Sequence, residues 1–410
     1  MFASAVLLYK NAYSGLSKES WYLALVMFIN RSGTMVLPFM TIYCIQKLHF
    51  TIVQAGFIMA LFGAGSITGA FIGGKITDKI GFYYLQVGAL LSGGIMFIAL
   101  SFLDTFLSLA IGTFILSMCN DSFRPANSTA VAHYSNAGNR TRSYSLNRLA
   151  VNLGWSFGGA LGGFIASHNY KLLFYVDGCT NIVAAILLLN LLPSIKIKKK
   201  VDSATESPVI KSPYRDKLYI AFIILTALFG SCFFQIFTMQ PVFFKTVWHF
   251  DEQFIGLLMA MNGMIIVLTE MILIHKIEGR KPSMYFISMG VLFVGFGYLI
   301  FNIFPAAVWV AVISMILITL GEMFSMPFMN TFWITRTTEN NRGAYAALFT
   351  IAWSTAQILA PVYGAIMIQY GGYPALWWLM ISICLFVSAG FYGIYKLDNI
   401  KQRLNLNYTA

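Results

Sequence analysis

The chain is 410 residues long, 58% hydrophobic and 10% charged, with 27 Lys and Arg against 15 Asp and Glu and a net charge of +12; its mean hydropathy is +0.72. A water-soluble domain carries about 25% charged residues, and a globule of this length has no interior large enough for so much apolar surface, so a soluble protein is excluded. Runs of about 20 apolar residues, enough to cross roughly 30 Å of hydrocarbon as a helix, recur along the chain, and their continuity excludes a β-barrel, whose strands alternate.

The opening residues, MFASAVLLYKNAYSGLSKES, put no basic stretch ahead of their apolar part, so no cleaved leader is expected; they read as a short interfacial helix. Twelve spans follow, near 20–45, 52–75, 83–102, 105–132, 143–167, 171–192, 217–244, 253–275, 283–302, 306–333, 343–368 and 373–395. Span 1 contains LVMFINRSGTMVLPFM, with Asn30 and Arg31 at its centre. Counted from Trp21 at about 1.5 Å per residue, Arg31 lies about 15 Å into the membrane, where an arginine costs about 2.5–3.5 kcal/mol on insertion scales. It must face water or an acid. Span 2 carries a stripe of Gly65, Gly69 and Gly73, suited to close helix packing, and ends in GKITDKIGFY.

Span 4 reads SMCNDSFRPANSTA. Asp121 and Arg124 share a face at i, i+3, and Asn120 and Asn127 stand a turn to either side of Arg124. A trio of Arg31, Asp121 and Arg124 has a net charge of +1, which suits an anionic group of a ligand or a charge change when Asp121 takes a proton. A static clasp between spans 1 and 4 is the rival reading. Span 5 offers Asn147, Asn152 and a second stripe, Gly154, Gly158 and Gly162. Asp177, early in span 6, is expected at the interface.

SIKIKKKVDSATESPVIKSPYRDK is the one long polar interruption. It divides the chain into six-span halves, 1–193 and 217–410, joined by a basic linker at 194–216. In span 7, FFQIFTMQPVFF, Gln235, Gln240 and Pro241 predict a broken helix with amides open to a ligand. Span 8 carries Asn262, and Glu270 one turn before a basic loop, where it snorkels or pairs with Lys276 or Arg280. Span 10, TLGEMFSMPF, sets Glu322 near its middle, ahead of a kink at Pro327. An intramembrane carboxyl suits loading and release of a proton, which makes Glu322 the first candidate for proton coupling. Ala352, Ala356 and Ala360 form a small-residue stripe in span 11, and Tyr43, Phe234 and Trp353 are candidates to line a pocket.

None of the five histidines lies deep in a span, so a histidine relay is not expected. The cysteines (Cys44, Cys119, Cys179, Cys232, Cys384) are odd in number, without C-x-x-C, and read as packing residues rather than disulfides or a metal site. With the N-terminus inside, nearly all loop Lys and Arg fall on the inner side and only Lys47, Lys171 and Lys245 on the outer. Both termini are therefore expected in the cytoplasm. This bias accounts for the basic balance through topology and contact with anionic lipid, without nucleic acid. The halves repeat weakly: Asp78 and Glu278, like Arg142 and Arg342, are 200 positions apart, and Pro125 and Pro327 are 202 apart.

Over its whole length the chain resembles the major facilitator superfamily: twelve spans in two six-helix bundles, a central linker, and the loop motif G-x-x-x-D-[RK]-x-G-[RK]-[RK]. In GKITDKIGFY the matching residues are Gly74, Asp78, Lys79 and Gly81, while Phe82 and Tyr83 replace the last two basic positions. The resemblance implies gating by this loop, with Asp78 capping a neighbouring helix. It also implies that spans 1, 4, 7 and 10 line a central cavity and that spans 2, 5, 8 and 11 form the seam between halves. GWSFGGALGG resembles the motif of drug–proton antiporters with Gly159 in place of its proline; AVNLG and GEMFSMP resemble segments of proton-coupled oligopeptide transporters, without a lysine in span 7.

The reading that follows is a proton-coupled secondary transporter in a bacterial cytoplasmic membrane, working by alternating access on small molecules. Glu322 and Asp121 are its proton sites, and Asn30, Arg31, Arg124, Gln235, Gln240, Asn147, Asn152 and Asn262 its substrate contacts. Export of amphipathic compounds by antiport is the leading expectation and symport uptake of a small zwitterion such as a peptide or amino acid the alternative; uncoupled facilitation and a lipid-handling or receptor-like role on the same fold are further readings. No nucleotide-binding loop, nucleophile–base pair or metal cluster stands in the sequence, so no enzyme activity and no cofactor is expected. A monomer is expected.

Overall fold

The computed structural model describes residues 15–136, 139–193, 213–277, 279–337 and 342–408, without side chains at 78, 140, 141, 275, 342–344 and 398–408. Among the described residues all regular structure is helical. Eleven stretches are long and apolar enough to cross a membrane. The last, Tyr345–Leu397, has 53 residues, about 80 Å of helix and twice what a bilayer requires. Gly372 breaks it with φ 74° and ψ 178°.

Spans 2, 3, 5, 6, 8, 9 and 10 are single helices: Ile52–Ile80, Phe82–Leu100, Arg140–His168, Tyr170–Leu191, Glu252–Ile277, Ser283–Ile303 and Val308–Thr335. Spans 1, 4 and 7 are interrupted. Span 1, read above as one helix, is two, Lys18–Ser32 and Val36–Gln46. Span 4 is Phe106–Asp121 followed by Phe123–His133. Span 7 breaks where Gln235 and Pro241 predict: Lys217–Phe233, a 3₁₀ turn Phe234–Ile236, then Met239–Thr246. Hydropathy missed the first two breaks because the apolar run continues across them. Helix starts carry their own signals. Ser17, Thr51, Thr105, Asn169 and Asp216 each accept a hydrogen bond from a first-turn N–H, and Thr51 with Gln54 forms a reciprocal capping box. Gly81, at φ 92°, closes span 2 and opens span 3 without a loop, a backbone that favours glycine.

Contacts divide the chain into two compact units. One takes in Met1–Gln54, Leu61–Lys200 and Phe250–Val267; the other takes in Ala55–Ala60, Val201–His249 and Leu268–Ala410. The first packs around Leu23, Met27, Phe82, Phe123, Leu146 and Leu188. The second is aromatic: Phe222 meets Phe332 at 4.7 Å and Phe391 at 5.9 Å, and Tyr298 stacks on Trp377 at 5.4 Å. Outward faces are apolar, with Phe157, Leu161 and Phe164 on span 5 and Val183, Ile186 and Leu189 on span 6 all exposed, as helices bathed in hydrocarbon require.

The sequence repeat is also a repeat of contacts. His49 and His249 both take left-handed backbone, φ 57° and 56°. Tyr43 packs on Tyr170 and Phe174 at 6.1 and 5.3 Å, and Phe243, 200 positions on, packs on Tyr373 and Trp377 at 5.1 and 5.2 Å. The side chain of Asn30 donates to Asn181; 200 positions on from Asn30 the second half has Gly230.

Candidate functional site

The break in span 4 builds the charged centre of the first unit. Asp121 closes the first helix, 1% exposed, and Arg124 follows one residue past Phe123. The Arg124 Nε lies 2.6 Å from Asp121 Oδ1, and its side chain is 53% exposed. Ser117 Oγ donates to the other carboxylate oxygen at 3.4 Å. Arg31, 9% exposed, lies within electrostatic reach of both charges, and among these three side chains the ion pair is Arg124 with Asp121. Span 5 makes room for Arg31: a Cβ at Gly154 would lie 2.6 Å from the Cβ of Arg31. One carboxylate and two guanidiniums give a net charge of +1. Arg124 uses Nε on Asp121, and its guanidinium has further donors in a planar fork, so the arrangement can accept an oxyanion on its exposed side.

Next to this centre an amide relay crosses three spans. Gln86 Nε2 donates to Asn127 Oδ1 at 3.4 Å, and Asn127 Nδ2 donates to Asn147 Oδ1 at 3.3 Å. Asn30 points instead into the contact with span 6, donating to Asn181 Oδ1 at 2.8 Å. Asn152 and Asn262, both half-buried, mark one helix crossing: a Cβ on Gly263, beside Asn262, would lie 3.0 Å from the carbonyl of Asn152.

In the second unit Glu322 is half-buried, and span 10 continues as a helix through Pro327. Gln235 is fully buried and donates to Ala360 O at 2.8 Å while accepting from Thr238 Oγ1 at 3.1 Å; it ties the broken span 7 to span 11. Gln240, 1% exposed, has no hydrogen-bond partner for either amide atom among the described residues. In the loop motif Gly74 has open space around it and Lys79 is exposed. The side chain of Asp78, the expected gating acid, lies outside the described residues.

Sequence reasoning misplaced Asp177. Instead of sitting at an interface it is 0% exposed, and its oxygens accept from the N–H groups of Met35, at 3.0 Å, and Val36, at 2.8 Å. The break in span 1 frees those donors, and nothing in its own sequence caps them. Pro38, which suits a first helical turn, was the available signal that a helix restarts there. Sequence reasoning also missed Glu252, buried at the start of span 8 and bonded by the hydroxyl of Tyr170. Glu270 is 7% exposed.

The two glycine stripes pack within the first unit. Gly154, Gly158 and Gly162 face span 1, and Gly65, Gly69 and Gly73 face Phe114, Met118 and Ser122 of span 4. The opposite stripe of span 5 receives span 8: Ser156 Oγ donates to Ala260 O at 2.7 Å, and Gly159 and Gly163 lie against Gly256. In the second unit Gly56 plays the matching part, with Pro361 O and Ala365 Cβ each 2.8 Å from a Cβ built there.

Two repeated sets of broken and unbroken apolar helices, with charge gathered at a helix break, define a polytopic membrane protein of the transporter class. The chain belongs to the Major Facilitator Superfamily, whose model matches residues 23–360, and it is a transporter of that superfamily rather than an enzyme. It is 22% identical over 370 residues to a Na(+), Li(+), K(+)/H(+) antiporter of Planococcus maritimus, covering 82% of this chain and 86% of that one. It is 22% identical over 394 residues to multidrug resistance protein MdtH of Blochmanniella pennsylvanica, covering 92% and 93%. Its fold is similar to that of a POT family transporter crystallised with 5-aminolevulinic acid, with TM-score 0.79, 15% identity, and 94% and 97% of the two chains covered.

Proposed function

We propose that this protein is a proton-coupled secondary transporter that exports amphipathic small molecules by antiport. The observation that carries this reading is the cluster of Arg31, Asp121 and Arg124, an intramembrane charge set with one carboxylate to titrate and one guanidinium open to a ligand. Relatives named for cation–proton antiport and multidrug resistance support the antiport direction. In this reading residues 1–193 and 217–410 form the two bundles, 194–216 links them in the cytoplasm beside both termini, and a lipid-embedded monomer is the working unit. Glu322 carries the coupled proton in the second half, and the loop of Gly74, Asp78, Lys79 and Gly81 gates. Asn147, Asn152, Asn262 and Gln240 supply polar contacts to the substrate.

The exposed side of Arg124 favours a second reading, symport of a small zwitterion whose carboxylate meets the guanidinium. Proteoliposomes with an imposed pH gradient separate the two, using ethidium and dialanine as probes. Dye movement against the proton flux supports antiport. Dialanine moving with the protons supports symport, and no gradient-driven movement of either refutes proton coupling. Glu322→Gln is expected to abolish gradient-driven movement while leaving counterflow exchange intact; loss of both assigns Glu322 to binding or folding instead.

A further inference from the structure

We propose that Asp177 is a positioning residue: its carboxylate pins the second half of span 1 to span 6, and its protonation releases that half. A helix start has N–H groups without intrahelical partners and favours negative charge. Val36–Gln46 begins in mid-span with no side-chain cap of its own, and Asp177 supplies the cap from another span, one oxygen to each N–H. Both bonds are charge-assisted while the carboxyl is ionised. A protonated carboxyl turns one oxygen into a donor facing a donor, so one of the two bonds is lost.

The charged groups around Asp177 are held elsewhere, and a second buried carboxyl, Glu252, reaches this segment at its far end, through Tyr170. Span 6 packs against spans 1, 3 and 5. On span 1, Arg31 belongs with Asp121 and Arg124, and Tyr43 packs on Tyr170 and Phe174, one to two turns away. Span 3 has no charged residue; its Tyr83 and Tyr84 stand at the other end, with the Tyr83 hydroxyl on Leu189 O. Span 5 brings Arg142 and Arg148 at one end and His168 at the other. On span 6 itself Lys171 pairs with Asp104 at 3.6 Å, and Tyr175 and Cys179 flank the acid. Among the described residues the carboxylate bonds only to Met35 and Val36. The second half places no carboxyl at this position: where Phe174 and Asn181 correspond to Trp377 and Cys384, Asp177 corresponds to Met380.

The released segment reaches further. It ends at Gln46, whose Oε1 is 3.3 Å from the Tyr170 hydroxyl, and that hydroxyl also bonds Glu252 of span 8. A proton taken up at Asp177 thus loosens one end of a rod whose other end sits against Tyr170. This extends the transporter reading, but the test needs no transport. Hydrogen exchange of the full chain in lipid nanodiscs is followed from pH 5 to pH 8, each rate divided by its intrinsic rate, with residues 18–32 as internal reference. One proton linked to opening changes protection by up to about tenfold per pH unit. Protection of 36–46 is expected to fall with that slope as pH drops. In Asp177→Asn it is expected to be low and flat, and in Asp177→Glu the slope is expected to return. A flat, protected 36–46 in the wild-type protein overturns the proposal whether or not the variants fold, and so does a wild-type slope in Asp177→Asn.

Discussion

At Arg31 the question is whether charge serves folding or function, and removing one charge at a time answers it. Arg31→Met deletes a buried charge and leaves Asp121 and Arg124 as a neutral pair, so the fold is expected to keep or raise its melting temperature. Asp121→Asn leaves two guanidiniums uncompensated. Breaking a buried pair costs about 3–5 kcal/mol, and the exposure of Arg124 places the expected loss at the lower end. Thermal unfolding in detergent checks both, and transport separates the readings: Arg31→Met keeps activity if the trio is a clasp and loses it if the trio binds substrate. Arg31, Asp121 and Arg124 were legible in sequence because charge inside an apolar run is conspicuous. Asp177 was not, because its partners are backbone N–H groups 142 and 141 positions away, and backbone donors leave no mark in a sequence. Asn30 and Gln235 show the limit from the other side: both are intramembrane amides, yet both are bonded to neighbouring spans.

Among the elements, the start of span 7 shows how helices of one unit are tied at their ends. Asp216 caps Tyr219 N–H and receives the Arg336 guanidinium, Nε at 3.1 Å and an Nη at 3.2 Å, while the Tyr345 hydroxyl adds a third side-chain bond at 3.3 Å. Burial pushes the Asp216 carboxyl up, but the bonds from Arg336, Tyr219 N–H and Tyr345 outweigh it and hold it below the usual carboxylate range. A carboxyl depressed in the folded state contributes stability above its unfolded value, about 3.9, and loses it as pH falls through the folded value. Asp216→Asn is therefore expected to lower the melting temperature near neutrality and to flatten its decline below about pH 4, measured by thermal unfolding across pH. Helix existence and most boundaries were legible from hydropathy and caps. The stripes of Gly65 and Gly154 announced close approach, but spacing within one helix names no partner.

For the whole molecule, the repeat explains what is shared and what has diverged. Both copies break their first helix, cross a glycine of the second helix over small residues, and turn through a left-handed histidine. The bond of Asn30 with Asn181 belongs to the first copy; the position 200 on from Asn30 is Gly230. Gly256 is the crossing point that brings Phe250–Val267 into the first unit. Gly256→Val is expected to destabilise the protein by about 1–3 kcal/mol through overpacking, seen as a lower melting temperature, while Gly279→Ala, which meets no neighbour within 4 Å, loses only its favourable left-handed backbone.

Gly372 joins spans 11 and 12 through a single residue. A helix turns about 100° per residue, so that joint fixes the azimuth of everything after it. One amino acid gained or lost there would swing Met380 and Cys384 out of their seats and toward the acyl chains, and natural variation in length at this hairpin should be correspondingly scarce.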